Sequence, residues 1–190
     1  MVIGRLARLK WIDKGNRIGY GKGMQGKKLK VYLDTSIINF LYADDSPAYR
    51  KATEVFFDDI VAKNKVEPYI SSVVIDEINK TGDKEHRNIL LGTFEKYTNI
   101  ENLTAENVII NEVSLLGEKY IENNIIPKKN VADSLHIAYA TIFQMDILLS
   151  WNFQHLANIN KEQKVIILNK TLGYNYPFRM ANPLEVYYGE

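Results

Sequence analysis

The sequence predicts an α/β fold in which a mostly parallel sheet is covered by helices. Two observations support this prediction. Short apolar runs end in polar or small residues, and segments with helical spacing of apolar residues separate these runs. Strands that alternate with helices pair in parallel, because a helical connection returns the chain to the starting edge of the sheet. A chain of 190 residues is long enough to form one domain with a sizeable core.

The predicted elements follow one another from residue 30 onward. Apolar stripes, together with caps or proline at their starts, predict helices over 37–42, 47–63, 73–80, 84–97, 105–123 and 131–144. Short apolar runs predict strands over 30–33, 67–71, 100–103, 146–150 and 164–168. The tail that follows is expected to be extended and to pack aromatic residues.

Composition excludes several classes of protein. The chain has no cysteine, so it has no disulfide framework and no thiolate metal site. No apolar run approaches the roughly 18 residues that a membrane span requires. The N-terminus lacks the continuous apolar segment of a signal peptide. We therefore expect a cytoplasmic protein.

The first 28 residues are interpreted as a basic, glycine-rich arm that precedes a domain over residues 29–190. Residues 1–30 hold nine Lys and Arg and one acid, although the whole chain has a net charge of only +1. Such an arm can hold nucleic acid or an acidic partner, and it can equally be a solvated tail. Residues 21–28 approach the phosphate-loop pattern GxxxxGK[ST], but Lys28 takes the hydroxyl position and the loop precedes a strand. A nucleotide site is not expected there.

Asp34 follows the first predicted strand directly. Ligands of open α/β sheets collect beyond the carboxyl ends of the strands, which makes this aspartate a candidate site residue. Thr35 and Ser36 come next and can cap the following helix. Asp34 also has a purely structural interpretation, as a turn or N-cap residue.

Two further carboxylates interrupt apolar helix faces. Glu77 lies on the apolar stripe of its helix, and Asp133 lies in the first turn of a helix that is apolar nearly all round. Burying an unpaired carboxylate is costly. The structural explanation for Asp133 is helix capping together with Asn130. His136 and His155 are each explained more simply as structural residues than as ligands.

Asn152 follows the predicted strand 146–150 and is expected at the same sheet edge as Asp34. Asp146 opens that strand from the opposite end and is interpreted as structural. Clustered acids repel, since two unit charges about 4 Å apart cost ~4 kcal/mol at an effective dielectric constant of 20. A cation relieves this repulsion, and oxygen ligands select Mg²⁺ or Mn²⁺ over Zn²⁺. Such ions orient phosphates and activate water, so the pattern indicates phosphoryl hydrolysis.

Taken together, four motifs resemble the PIN domain, and specifically the VapC-type ribonuclease toxins of bacterial and archaeal toxin–antitoxin operons. They occur in the order and spacing of that family, at residues 33–36 (LDTS), 71–77 (SSVVIDE), 132–138 (ADSLHIA) and 146–156 (DILLSWNFQHL). The resemblance implies an αβα sandwich with a mostly parallel central sheet and metal-dependent cleavage of RNA. It also implies a homodimer and an antitoxin partner that occludes the site.

The same resemblance assigns roles to individual residues. Asp34, Glu77 and Asp133 correspond to the acidic triad that binds Mg²⁺ or Mn²⁺. Asn152 stands at a fourth catalytic position that is often Asp in the family, with Ser150 as the small hydroxyl residue near it. An amide there can hold a metal-bound water but adds no charge, which weakens a second metal site. The N-terminal arm has no counterpart in the family pattern.

Three functions are compatible with these features, and we expect the first. It is a metal-dependent endoribonuclease, the toxin of a toxin–antitoxin pair. The second is a catalytically weak PIN fold that binds RNA or a partner protein. The third is a haloacid-dehalogenase-type phosphatase, which also begins with an Asp after the first strand. That class needs a second Asp two residues later, where this chain has Ser36.

Overall fold

Five parallel strands form the sheet in the computed structural model, which describes residues 27–104 and 107–186. The strands are β1 (Lys30–Leu33), β2 (Glu67–Ser71), β3 (Glu101–Leu103), β4 (Ile147–Leu149) and β5 (Arg179–Ala181). Their order across the sheet is β3–β2–β1–β4–β5. The central strand β1 pairs on both sides, so that Tyr32 lies beside Tyr69 of β2 and Leu148 of β4.

Helices connect the strands. They are α1 (Thr35–Phe40), α2 (Pro47–Phe56), α3 (Ser72–Asn79), α4 (Lys84–Lys96), α5 (Asn107–Glu122), α6 (Val131–Ile142) and α7 (Ile159–Thr171). A π-helical turn, Phe57–Val61, continues α2, so the long helix predicted over 47–63 is present with a change of hydrogen-bond pattern near its end.

Alternation along β1 creates two hydrophobic cores, because successive side chains of a strand point to opposite faces. Val31 and Leu33 pack with buried residues of α1–α4. Tyr32, which is also fully buried, packs instead with residues of α5–α7. Helices therefore cover both faces of the sheet, and the predicted α/β sandwich with a parallel sheet is confirmed.

The strand predicted over 164–168 is wrong, because these residues form the middle of α7. Glu162, Val165 and Asn169 are buried while Ile167 is 64% exposed, which is the spacing of a helix face. Asn158 caps the helix by accepting from two backbone N–H groups. A four-residue apolar run does not distinguish a strand from a helix segment by periodicity. The strand at the edge beside β4 is instead β5, which lies in the tail that the sequence predicts to be extended.

The order of the strands reverses beside β1. From β1 the chain proceeds to β2 and β3 on one side, whereas β4 and β5 lie on the other. The carboxyl ends of β1 and β4 thus flank a topological switch point, where α/β sheets place their ligands. Asp34 and Ser150 are the first residues beyond these two ends.

Some sequence predictions concern residues outside the described ranges. The N-terminal arm lies outside them except for Lys27 and Lys28, which are exposed, and so does most of the phosphate-loop-like stretch 21–28. Among the helices that the structure does describe, none combines the length and apolar character needed to cross a membrane.

Candidate functional site

Asp34 links the ends of the two central strands. It is the N-cap of α1 and is only 4% exposed, and its backbone N–H donates to the carbonyl of Leu149 over 3.1 Å. Its Oδ1 accepts from the backbone N–H of Ser36 over 3.1 Å and also from the Ser36 hydroxyl. Its Oδ2 accepts from the Ser150 hydroxyl over 2.8 Å. Asp34 is therefore both a helix cap and a member of a network at the switch point.

A continuous set of hydrogen bonds connects Asp34 to Asp133. The Ser150 hydroxyl, which donates to Asp34, accepts from the backbone N–H of Asn152 over 2.9 Å. The side-chain amide of Asn152 then donates to Oδ1 of Asp133 over 3.1 Å. The structure thus brings three predicted site residues, Asp34, Asp133 and Asn152, and two predicted supporting residues, Ser36 and Ser150, into one network.

The second oxygen of Asp133, Oδ2, is buried, and no group of the described residues meets it in hydrogen-bonding geometry. The Asn130 side chain is nevertheless near enough to the Asp133 carboxyl to act against the rise of its pKa. Asn130, the N-cap of α6, makes no side-chain capping bond, and within the described residues its Oδ1 also has no hydrogen-bond partner. A buried carboxylate oxygen without a donor is costly. This oxygen is therefore available to a cation or to a donor from outside the described residues.

Glu77 is held by two hydrogen bonds on one oxygen. The half-buried carboxylate accepts from Nε2 of His136 over 2.9 Å at Oε2, and the Thr35 hydroxyl donates to the same oxygen. Thr35 follows Asp34, so Glu77 lies beside the same strand end. Its neighbour Asp76 is exposed, as the spacing on α3 predicts.

A buried polar chain behind Glu77 fixes the orientation of His136. Oγ of Ser71 lies 2.6 Å from the Tyr32 hydroxyl, which lies 2.8 Å from Nδ1 of His136. An ionised Glu77 can only accept, so Nε2 carries the hydrogen, and in the neutral imidazole Nδ1 then accepts from Tyr32. Tyr32 in turn accepts from Ser71. This tautomer is assigned from the chemistry of the partners, and it satisfies every member of the chain.

Burial sets the electrostatics of the site. It raises the pKa of the Asp34 and Asp133 carboxyls, because loss of solvent disfavours their charged forms. Burial also acts to raise the pKa of Glu77, but the hydrogen bond from His136, the positive charge that His136 carries when it is protonated, and the hydrogen bond from Thr35 outweigh it and leave that pKa lowered. Glu77 is therefore ionised and paired, whereas Asp34 and Asp133 lack a positive partner sufficient to offset burial.

The carboxylates of the described residues do not form a complete protein cage for a metal ion. Within the described ranges, no three His, Asp or Glu side chains form a group that could hold a metal ion. Mg²⁺ commonly binds one or two carboxylates and keeps several waters. Asp34 and Asp133, the latter with a free buried oxygen, supply two carboxylates linked by one network. Glu77 is tied to His136 and Thr35.

Two further outcomes concern residues outside the predicted site. Asp146 accepts from the backbone N–H of Lys30 over 2.8 Å and from the Tyr176 hydroxyl, at the opposite end of the strands, as its structural interpretation requires. His136 is buried as expected for a core histidine, but it also contacts Glu77, which sequence reasoning missed. The available signal was its place one helical turn beyond Asp133.

Comparison with known proteins adds no relative. No protein-family model matches the chain, and no curated protein shows significant similarity to it. Functional inference for this protein therefore rests on its fold, on the geometry of the network between Asp34 and Asp133, and on the motif resemblance.

Proposed function

We propose that this protein is a Mg²⁺- or Mn²⁺-dependent endoribonuclease with a PIN-like fold. Three features support the proposal: a parallel αβα architecture, a site at its topological switch point, and the order of the four motifs. Buried carboxyls whose pKa burial raises, at such a place, are typical of sites that perturb pKa for function.

The observation that carries the proposal is the buried, unpartnered Oδ2 of Asp133. Native proteins pair nearly all buried polar atoms, so an exception calls for an explanation such as an ion. Asp133 is also connected to Asp34, whose carboxyl is disfavoured as an anion by the same burial. One hard cation bound by both carboxylates accounts for both observations.

The proposed roles divide the site between metal binding and positioning. Asp34 and Asp133 would hold the ion, with Glu77 contributing directly or through water. A bound Mg²⁺ or Mn²⁺ supplies Lewis-acid polarisation of the scissile phosphate and lowers the pKa of water. Ser150 orients Asp34 through its hydroxyl, and Asn152 orients Asp133 through its amide.

The partner assignments rest on the motif resemblance. We propose RNA as substrate, a homodimer, an antitoxin protein that occludes the site, and action in the cytoplasm as a toxin. Lys128 and Lys129 are exposed just before α6 and near Asp133 in the chain, and they offer positive charge to an RNA backbone.

Cleavage of a mixed single-stranded RNA pool tests the function. The parent protein is expected to cleave in Mg²⁺ and to stop when EDTA is added. Asp133→Ala should lose nearly all activity, and Asp76→Ala, which removes an exposed acid of α3, should retain it. Cleavage that survives both EDTA and Asp133→Ala would mean a contaminating nuclease and would remove support for the proposal.

A second function is favoured by one observation. Because no three acidic or histidine side chains in the described residues group as metal ligands, the chain could instead be a catalytically weak PIN fold that binds RNA or a protein. Failure of the parent to cleave any RNA in Mg²⁺ or Mn²⁺, combined with retained RNA binding, would favour this function.

A further inference from the structure

Four aromatic side chains pack together beside the site, and we call them the aromatic platform: Phe40, Tyr49, Trp151 and Phe153. The ring of Trp151 is central, with its centroid 4.8 Å from that of Tyr49 and 5.9 Å from those of Phe40 and Phe153. The Tyr49 and Phe153 rings also meet, at 6.1 Å. These distances are those of interacting aromatic rings.

The platform continues directly into the candidate site. The backbone N–H of Trp151 donates to Oγ of Ser36 over 2.8 Å, and that hydroxyl in turn donates to Asp34. Phe153 follows Asn152, whose side chain donates to Asp133. The loop after β4 therefore carries two of the four rings, Trp151 and Phe153, together with Ser150 and Asn152, which hydrogen-bond the two carboxylates.

Hydrogen bonds make the platform rigid. The indole N–H of Trp151 donates to the Thr53 hydroxyl over 2.8 Å, and that hydroxyl donates to the backbone carbonyl of Tyr49 over the same distance. Thr53 is fully buried and Trp151 is 4% exposed. A surface held in this way does not have to be ordered when a ligand binds, which favours affinity.

The outer part of the platform is open to a ligand. Tyr49 is 40% exposed and Phe153 is 45% exposed, although both rings rest on the buried Trp151. Parts of both side chains are therefore accessible beside the candidate site.

The charged residues beside the platform offer little attraction to a phosphate. Phe40 borders a cleft whose lining includes Asp44, Asp45 and His86. The nearby Arg50 is already paired with Asp44 and Glu54. A nucleobase is neutral and has a π-face, so it can stack on these aromatic rings while the phosphate of its nucleotide lies toward the carboxylate site.

We propose that the aromatic platform stacks an unpaired nucleobase adjacent to the phosphate that is cleaved. This inference rests on the ribonuclease function proposed above and specifies its substrate as single-stranded RNA or a loop. A paired base keeps its faces within its own stack, so a duplex cannot use the platform unless it opens. Stacking tolerates every base, so the platform sets strandedness more than sequence.

Equilibrium binding in EDTA tests the proposal without cleavage. The probe is a fluorescein-labelled, 2′-O-methylated single strand of mixed sequence, followed by fluorescence anisotropy. Tyr49→Leu and Phe153→Leu keep apolar volume but remove the π-face. Each is expected to weaken binding by between about fivefold and about 150-fold, the range measured when stacked aromatic residues are replaced. Tyr49→Phe should bind as the parent does, and so should Ile167→Ala, which alters an exposed position on α7.

Several outcomes would overturn the proposal. These are absence of probe binding by the parent, unchanged affinity in both Leu variants, equal affinity of the parent for a blunt duplex, or a loss with Tyr49→Phe as large as with Tyr49→Leu. A different pattern would assign the platform to a protein partner. In that pattern the Leu variants weaken binding of a basic peptide but leave the affinity for the RNA probe unchanged. If a Leu variant melts more than a few degrees below the parent, Tyr49→Trp replaces it and must bind at least as tightly as the parent.

The result is separable from the fate of the nuclease proposal. If metal-dependent cleavage is lost in Asp133→Ala and RNA binding is unchanged in the Leu variants, the stacking proposal is refuted and the nuclease proposal is supported. If RNA binding depends on the rings but the parent never cleaves, the nuclease proposal is refuted and base stacking is supported.

Discussion

Replacing Asp34 with Asn is expected to leave the metal-free protein as stable as the parent, or more stable. The carboxyl is 4% exposed and burial raises its pKa, so its charge is disfavoured in the folded state at neutral pH. The Asp133 carboxylate also acts to raise this pKa, as the smallest of the causes, and two unit charges about 6 Å apart, the spacing of carboxylates that share one ion, repel by roughly 3 kcal/mol at an effective dielectric constant of 20, which is an upper limit for the relief. Asn cannot accept every hydrogen bond from Ser36 and Ser150, and this loss costs about 1–2 kcal/mol. The net change is therefore neutral to about 1–2 kcal/mol of stabilisation.

Thermal melting across a Mg²⁺ titration measures whether stabilisation by the ion requires the Asp34 carboxylate. At a concentration one hundred times Kd, the ion should stabilise the parent by about 2.7 kcal/mol, or roughly 5–10 °C for a chain of this size. Asp34→Asn should show no such shift. Asp146→Asn changes a carboxylate at the opposite sheet edge and should keep the full shift, whatever its own stability. Equal Mg²⁺ shifts in Asp34→Asn and parent, or a variant melting far below the parent in EDTA, would refute the reasoning.

Three further predictions follow from the same structure. Because burial raises the folded-state pKa of Asp34, its contribution to stability is complete below about pH 4 and is lost as the pH rises through that raised pKa. Urea titrations in EDTA from pH 4 to pH 7 should therefore show the stability difference moving in favour of Asp34→Asn, and a constant difference would contradict this. Tyr32→Phe removes the hydroxyl that donates to Nδ1 of His136, so His136 holds Glu77 less firmly. RNA cleavage should fall roughly tenfold to hundredfold, as it does when other outer-sphere partners of metal ligands are replaced. Unchanged cleavage would show that the hydrogen-bonded chain from Ser71 to Glu77 is structural only. Deleting residues 1–23 should flatten the salt dependence of RNA affinity while the melting temperature stays within a few degrees, because fewer Lys and Arg displace counterions; a collapse in melting temperature would show that the arm is structural.

The parts of the fold that sequence predicted are those set by local pattern. Strand β1 and its terminal Asp34 follow from an apolar run and the residue that ends it, and parallel pairing follows from the alternation of strands with helices. Strand β5 could not be found in this way, because its three residues form a strand only through pairing with β4. The run 164–168 was misassigned because the buried polar residues of α7, Glu162 and Asn169, conceal its helical face.

In the candidate site too, local sequence pattern predicts some features, and others depend on contacts between residues that are distant in the chain. Asn152 could be placed at the sheet edge because it follows a strand. The bond between Glu77 and His136 joins residues 59 positions apart, and it depends on side-chain rotamers that no local pattern reveals. The same applies to the buried Oδ2 of Asp133, since sequence also offers helix capping with Asn130 as a structural explanation, and only the geometry shows that Asn130 makes no side-chain capping bond. Sequence thus located the carboxylates but not how each is paired.

Direct measurement of Mn²⁺ binding tests the central claim that Asp34 and Asp133 hold a divalent cation. Free Mn²⁺ is followed by electron paramagnetic resonance during titration of metal-free protein, for the parent, Asp133→Asn and the surface control Asp76→Asn. We predict saturable binding by the parent, unchanged binding by Asp76→Asn, and affinity at least roughly tenfold weaker in Asp133→Asn. Equal affinity in parent and Asp133→Asn, or no saturable binding by the parent, would contradict the account.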